Sequence, residues 1–205
     1  MSDIKVSDNQ ILRYEKKYLF DFLETMKVLK PEFGIKIERI GDLAVQIAKK
    51  LNFYDDNLLF AAYYANIGFL ALDRYLDSFS GNQEQKQELL KQHLYYGADF
   101  CKRKKLFSSA EMIMQHHNLP NGEGYFEIIV KDKKIATIQI ADSYIGMVCP
   151  TRHRPPLSIE YSISQIMQPY LKTRVFEDYE IETIKNILNG FYKERIEIKK
   201  DQNEF

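Results

Sequence analysis

Three histidines and one aspartate stand in segments that are predicted to be helical, and these residue types could together bind a transition metal. His116 and His117 are adjacent, His93 lies in an earlier segment, and Asp142 lies in the otherwise apolar run IQIADSYIGM. A carboxylate is costly to bury unless it is paired or bound to a metal. Imidazoles and a carboxylate that converge from several helices make such a site. Taken singly, each residue could equally be a hydrogen-bonded core residue or a helix cap.

The loop after the histidine pair has the composition of a site that binds an anion. It reads QHHNLPNGEGYF over residues 115–126. Gly122 and Gly124 permit positive φ angles and a close approach of the backbone to a ligand. Consecutive backbone N–H groups in such a loop can hold an anion. Asn121-Gly122 is also a common turn signal, so a plain turn is the alternative interpretation.

The elements that must position these residues are predicted to be helices. Apolar residues recur at helical spacing along most of the chain, and the connections are short. The segment YFEIIVKDKK is an exception, because its alternating pattern favours a short β-hairpin. The sequence therefore predicts an all-α bundle with a short hairpin after the loop. Helices are predicted at about residues 9–29, 35–51, 58–72, 83–104, 108–117, 135–147, 158–170 and 178–199.

A break at Lys30-Pro31 separates the first helix from the rest, because proline disfavours helix for the residue before it. That helix could serve in docking or dimerisation, or it could simply pack on the core. We therefore expect an N-terminal helical element over 1–30 and a main domain over 31–205. Asp55-Asp56-Asn57 is predicted to cap the helix that follows. Apolar residues lie on every side of this helix, so it should be central and buried.

The composition excludes several classes of partner. The chain has 205 residues, of which 45% are hydrophobic and 28% charged, and its 29 basic residues equal its 29 acidic ones. It therefore lacks the overall basic charge expected of a protein that binds DNA, RNA or an anionic membrane. No apolar run approaches the ~20 residues that cross a bilayer, and the start lacks the apolar region of a signal peptide. Cys101 and Cys149 form no motif and are expected to be reduced in a cytoplasmic protein.

Six segments match, in the right order, the motifs of one protein family. The segments are AAYYANIGFLAL, HLYYGADF, QHHNLPNGEGYF, IQIADSYIGM, RHRPPL and VFEDYEIETI. Together they resemble HD-GYP domains, which are bacterial metal-dependent phosphodiesterases of cyclic di-GMP. The third segment is similar to the family signature HHExxDGxGYP. The likeness covers about residues 31–195, and it implies the helical fold of HD domains.

The chain departs from this family at the positions that matter most for catalysis. The paired His-Asp ligands of the family correspond to Ala65 and Asn66, and the lysine that follows them corresponds to Phe69. The upstream histidine corresponds to Lys36, while Arg39 matches the family arginine. In the family the His-Asp pair bridges two metals. An alanine offers no ligand, an asparagine offers only a neutral oxygen, and a lysine would repel a divalent ion. The resemblance therefore gives no confident catalytic residue.

The residues that survive could hold one metal and part of a ligand. Three histidines suffice for a single zinc, iron or manganese ion with an open position. The metal ligands that the resemblance implies are His93, His116, His117 and Asp142. The ligand-binding residues that it implies are Gly122, Gly124, Tyr125 and Arg154. Arginine suits a phosphate, and Arg152 and His153 add donors nearby, although a solvated basic loop is the alternative interpretation.

We therefore expect a degenerate HD-GYP domain that is catalytically inactive or impaired. It would act in cyclic di-GMP signalling by binding a nucleotide, or a protein such as a diguanylate-cyclase domain, and it could form a homodimer. One alternative is an active metal-dependent phosphodiesterase with a reduced metal site. Another is a pure protein-interaction domain of the HDOD type, which resembles this fold without the metal site. The histidine pair argues against this last interpretation.

Overall fold

The computed structural model describes residues 8–150 and 154–193, and the secondary structure in these ranges is helical. The prediction of an all-α protein is therefore confirmed. The α-helices of the described ranges are α1 (Asp8–Leu29), α2 (Pro31–Lys50), α3 (Asp56–Tyr64), α4 (Asp73–Asp77), α5 (Gln83–Arg103), α6 (Phe107–Gln115), α7 (Lys133–Val148), α8 (Ile159–Met167) and α9 (Asp178–Tyr192). Two 3-10 helices join them, η1 (Ile67–Ala71) and η2 (Gln168–Tyr170).

The predicted break after the first helix is present. Helix α1 ends at Leu29 and α2 begins at Pro31, whose missing N–H costs nothing in the first turn of a helix. A Cβ atom on Gly34 would lie 2.5 Å from the backbone nitrogen of Lys27. The two helices therefore approach each other too closely at this point for any residue but glycine.

The predicted cap of the third helix is also confirmed. The Asp55 carboxylate accepts a hydrogen bond of 2.9 Å from the backbone N–H of Leu58. Helix α5 begins with a reciprocal pair of bonds between Asn82 and Gln85, in which each side chain accepts from the other residue's backbone N–H. Such caps satisfy N–H groups that have no partner within the helix.

The helix predicted over residues 58–72 is divided in the structure. Helix α3 ends at Tyr64, and η1 follows after a turn. Every residue from Leu58 to Gly68 is buried, so the predicted burial of this segment is confirmed. An apolar pattern on all sides specifies burial but does not specify the geometry of the backbone, which explains the error. The short helix α4 was not predicted.

The predicted β-hairpin is not formed. The described residues contain no strand, and an isolated bridge joins Asn118 to Gly124. Glu127 has a φ angle of +54°, which interrupts an extended chain. The Asp132 carboxylate accepts a bond from the backbone N–H of Lys134 and so begins helix α7. The alternating residues thus have no partner strand, and the polar end of the segment is used as a helix cap.

The chain divides into two compact units, each with its own core. Among the described residues, the first unit comprises 8–38 and 55–114, and the second comprises 39–54, 115–150 and 154–193. Buried side chains in the first unit include Leu19, Leu23, Phe60, Tyr64, Leu94 and Ile113. Those in the second unit include Leu43, Ile47, Ile138, Tyr144, Ile166 and Leu188. Within the described ranges, no helix combines the length and the apolar character that crossing a bilayer requires.

An ion pair and a hydrogen bond join helices α7 and α9 of the second unit. The ammonium of Lys133 at the start of α7 donates to both carboxylate oxygens of Glu180 in α9, at 2.7 Å each. The Tyr144 hydroxyl donates to the Leu188 carbonyl at 2.8 Å. Glu180 is nearly fully buried, and such a carboxylate needs a charged partner. These contacts fix α7, the helix that carries Asp142.

Candidate functional site

In the first unit, His93 is completely buried in α5 and lies against an aromatic ring. Its imidazole stacks on the ring of Phe69, with centroids 4.1 Å apart and planes inclined by 8°. The Nδ1 atom of His93 is hydrogen-bonded to the carbonyl oxygen of Leu90. Because a carbonyl can only accept, this contact makes Nδ1 the proton donor, and Nε2 is then the nitrogen that has the lone pair when the ring is neutral. A histidine whose other nitrogen donates to a carbonyl is typical of a metal ligand.

Gly68 allows this stacking. A Cβ atom on Gly68 would lie 1.9 Å from the backbone oxygen of His93. The 3-10 helix η1 therefore lies directly on the backbone of α5, with no room for a side chain at position 68. This close approach places Phe69, the residue after Gly68, over the imidazole.

Ala65 and Asn66, which stand where the resemblance to HD-GYP domains would place a pair of metal ligands, also lie in the first unit. Ala65 and Asn66 form the turn between α3 and η1, and both are buried, with exposed fractions of 0% and 2%. Ala65 has no atom that could bind a metal, and Asn66 has only an uncharged amide. Lys36 is partly exposed on α2. Ala65 and Asn66 are thus part of the buried interior of this unit, and Lys36 is nearer its surface.

In the second unit, the predicted residues His116, His117, Tyr125 and Asp142 are brought together. The two histidines follow α6 directly, and their ring centroids are 4.2 Å apart. The Tyr125 ring lies 5.0 Å from that of His117. The Oδ2 atom of Asp142 lies 3.8 Å from Nε2 of His117, which is within the range of an ion pair but longer than a hydrogen bond. Asp142, predicted to need a partner, therefore lies beside an imidazole.

Burial differs between the two adjacent histidines. His116 is fully buried, whereas a quarter of the His117 side chain is exposed. A ligand reaching this unit from solvent would therefore meet His117 before His116. The exposed part of His117 lies next to the Tyr125 ring. A planar ligand, such as a nucleotide base, could contact these two rings from the solvent side.

The loop from His117 to Phe126 is shaped by its two glycines, as predicted. Gly122 and Gly124 have φ angles of +87° and +129°. A Cβ atom on Gly124 would lie 2.3 Å from the carbonyl oxygen of His117. Any other residue at position 124 would therefore push the loop away from the histidine pair.

Sequence reasoning missed Asn118, which holds this loop together. Asn118 is 1% exposed, and its Oδ1 atom accepts a bond of 2.9 Å from the backbone N–H of Phe126. Its own backbone pairs with that of Gly124 in the isolated bridge. A polar residue next to a histidine pair carries no signal of burial in the sequence, so only the folded loop reveals this role.

Arg154, the predicted phosphate ligand, is bonded to the end of a helix. Its guanidinium donates to the carbonyl oxygens of Gly146 at 2.6 Å and of Met147 at 3.3 Å. A cation stabilises the C-terminal carbonyls of a helix, so this contact fastens the loop to α7. A phosphate would compete with these carbonyls for the same donors. The neighbouring candidates Arg152 and His153 lie outside the described residues.

His93 in the first unit, and His116 and His117 in the second, are each able to offer a ring nitrogen to a metal ion. Neutral imidazole nitrogens suit zinc, iron and other transition metals better than magnesium or calcium, which prefer oxygen ligands. The Nδ1 bond of His93 and the carboxylate beside His117 are the kinds of contact that orient metal-binding imidazoles. The chemistry of these side chains therefore suits a transition metal in either unit.

Comparisons with known proteins support the fold. No protein family matches the chain, and no curated protein matches it. The HD domain of the phosphodiesterase PgpH from L. monocytogenes has a similar structure, with a TM-score of 0.59 at 18% identity over 83% of this chain and 98% of that one. A structure of the same domain in complex with cyclic di-AMP gives a TM-score of 0.60 at 18% identity, over 85% and 98%. The predicted HD-domain-like fold is thereby confirmed.

Proposed function

We propose that this HD-like fold is a degenerate HD-GYP domain that works in the cytoplasm as a cyclic-dinucleotide signalling module. It holds one divalent transition metal and hydrolyses its nucleotide poorly or not at all. The observation that carries the proposal is a contrast between two groups of residues. His93 and His117 have orienting contacts typical of metal ligands, whereas Ala65 and Asn66 are buried where the family has its bridging pair.

The proposed metal ligands are His93, His116 and His117, each of which can offer one ring nitrogen. Asp142 acts through its contact with His117 or as a further ligand. Iron, manganese and zinc are the proposed metals, because imidazole ligation favours transition metals. When bound, the ion would polarise a phosphoryl oxygen of the ligand.

Efficient two-metal hydrolysis is not part of the proposal. A bridging carboxylate holds two ions and the hydroxide between them, and its negative charge offsets their mutual repulsion. Asn66 is neutral, Ala65 has no donor atom, and Lys36 adds a positive charge. The domain would therefore bind its nucleotide as a signal and hydrolyse it slowly or not at all.

Cyclic di-GMP is the proposed ligand, within the wider class of cyclic dinucleotides. The class is supported by the similar HD domain whose structure contains cyclic di-AMP. Gly122 and Gly124 allow the ligand to approach the loop backbone closely, and the Tyr125 ring can stack on a base. Arg154 could contribute a charge from its place at the end of α7.

Metal analysis of the purified full chain tests the metal part of this proposal. We expect close to one zinc, iron or manganese ion per chain, lost in His116→Ala and kept in the matched control Gln115→Ala. Because imidazole must be neutral to bind a metal, the ion should be released in acid. Metal-free wild type, or metal retained well below about pH 5, would contradict histidine ligation.

Calorimetry with cyclic di-GMP and with cyclic di-AMP tests the nucleotide part. We expect binding of cyclic di-GMP that weakens in Arg154→Ala and Tyr125→Ala but not in Arg103→Ala, a substitution of an exposed arginine on α5. Stronger binding of cyclic di-AMP would change the assigned nucleotide. No heat with either nucleotide would leave a protein partner, such as a diguanylate-cyclase domain, as the ligand of the module.

An active phosphodiesterase with a reduced site is the second candidate. The contact between Asp142 and His117 favours it, because a carboxylate beside an imidazole is a pairing used in acid–base catalysis. Hydrolysis of cyclic di-GMP with manganese, iron or zinc that disappears in both Asp142→Asn and His117→Ala would replace the first proposal with this one.

The segment 1–30 is proposed as a docking or dimerisation element of the domain at 31–205. Tyr14 and Phe20 on α1 are more than half exposed, which provides apolar surface for a second chain. Within the first unit, the same helix is joined to Lys104 by an ion pair with Glu15. Light scattering of the full chain and of Tyr14→Ser/Phe20→Ser tests this, and a monomer at high concentration would refute dimerisation.

A further inference from the structure

The ring of Phe69 covers one face of His93 at van der Waals distance. The two centroids are 4.1 Å apart, and an inclination of 8° makes the planes nearly parallel. Both residues belong to the first unit, and the contact is rigidly supported, because Gly68 sets η1 directly on the α5 backbone. At the corresponding position the family described above has a lysine, so the stacked phenylalanine is a feature of this chain.

We infer that Phe69 is a positioning residue that locks the imidazole of His93 with Nε2 as its metal-binding nitrogen. The inference rests on the proposed function for the metal itself. Its structural basis is the combination of the stack and the hydrogen bond from Nδ1 to the Leu90 carbonyl. Neither contact requires a bound metal.

The two contacts restrict different motions of the ring. Rotation about χ2 of histidine is broad and roughly two-fold, and a half-turn exchanges Nε2 with a carbon atom. The bond to Leu90 favours the orientation that directs Nδ1 to a carbonyl. The Phe69 ring stands in the path of the half-turn, because the imidazole edge would have to pass through it. The stack thus hinders exchange, and the hydrogen bond selects which orientation is kept.

A locked ring binds metal more tightly than a mobile one. Ordering a free side chain on binding weakens affinity, and contacts that orient metal ligands are known to matter by a factor of ten or more. We therefore expect removal of the aromatic ring to weaken zinc binding by roughly tenfold. Loss of His93 itself would remove a ligand and should weaken binding further.

The experiment compares wild type, Phe69→Leu, Phe69→Tyr and the control Phe107→Leu, which alters an exposed phenylalanine on α6. Long-range nitrogen–proton NMR spectra of the metal-free full chain report the tautomer and ring exchange of His93, whose signals are identified by their loss in His93→Gln. Zinc affinity is measured by competition with a chromophoric chelator, and circular dichroism confirms folding.

We expect one His93 form in wild type, with Nδ1 protonated, and the same form in Phe69→Tyr and Phe107→Leu. Phe69→Leu should show ring exchange or a second tautomer and about tenfold weaker zinc binding. An unchanged His93 spectrum in folded Phe69→Leu would overturn the positioning role. Loss of the wild-type His93 form in Phe69→Tyr, which keeps an aromatic ring, would overturn it as well. Absence of zinc binding by wild type would instead overturn the proposed metal site, and the metal-free spectra would still decide whether Phe69 holds the ring.

Discussion

Gly124 and His117 meet backbone to backbone: a Cβ atom on Gly124 would lie 2.3 Å from the carbonyl oxygen of His117. The φ angle of Gly124 is +129°, a conformation that residues with side chains rarely adopt. The loop therefore folds onto the histidine pair only because position 124 is glycine. Asn118, bonded to Phe126, closes the loop from within. The position of the His116-His117 pair therefore depends on the conformation of the loop that follows it.

Gly124→Ala should open this loop. Steric overlap and backbone strain should lower the free energy of unfolding by about 1–3 kcal/mol and weaken zinc binding. Chemical denaturation and chelator competition measure the two effects. Gly190→Ala is the control, because a Cβ atom at this helical position has no atom within 4 Å, and it should stabilise by about 0.5–1 kcal/mol. Equal stability and zinc affinity of Gly124→Ala and wild type would contradict the proposed loop restraint.

Gly68→Ala should damage the packing of η1 on α5. A Cβ atom would lie 1.9 Å from the backbone oxygen of His93, so the two elements must separate. We expect a loss of about 2–4 kcal/mol of unfolding free energy, in the range of severe overpacking in a core. The His93 NMR signals should shift as well, because Phe69 moves with η1. A variant with wild-type stability would show that the backbone can relax at this position.

Glu15→Gln should weaken the packing of α1 on the other helices of the first unit. Glu15 is almost buried, and its Oε2 atom lies 2.7 Å from the ammonium of Lys104, which also lies over the Phe100 ring. Removing the charge leaves Lys104 without its anionic partner, and we expect a loss of about 1–3 kcal/mol in urea denaturation. Asp99→Asn, which breaks an exposed pair with Arg103, should change stability by less than about 0.5 kcal/mol. Similar effects of both substitutions would argue against a special role for the Glu15 pair.

The buried thiol of Cys101 should make stability fall at alkaline pH. Burial raises its pKa from the ordinary value of 9.0 to about 12, because the thiolate loses its hydration. Between these values the native state keeps a proton that the unfolded state releases, so the free energy of unfolding decreases as pH rises from about 9 to about 12. Below about pH 9 the full contribution is present. Cys101→Ala should flatten this part of the stability profile.

Thiol labelling provides a direct check on the same burial. At pH 9 the native protein should react at Cys149, which is partly exposed, and not at Cys101. Cys149→Ala should abolish fast labelling, whereas Cys101→Ala should leave it unchanged. Two thiols reacting at the same rate in the native protein would contradict the packing around Cys101.

By itself the sequence determined the helical class, most helix positions and several of their ends. Helical periodicity and capping depend on residues near one another in the chain, which is why the break at Lys30-Pro31 and the cap at Asp55 were predictable. The histidine pair and the glycine loop were also found in this way, because their residues are contiguous. The same local pattern failed for the hairpin, since a strand needs a partner that the pattern alone cannot supply.

The tertiary structure decided the contacts between residues that are distant in the chain. It placed Phe69 on His93, Asp142 beside His117 and the guanidinium of Arg154 on the carbonyls that end α7. It also gave Asn118 its role, because burial and hydrogen bonding of a polar residue depend on the complete fold. Residue type fixes which chemistry a side chain can perform. Packing in three dimensions determines the neighbours of that side chain, its tautomer and its exposure to solvent.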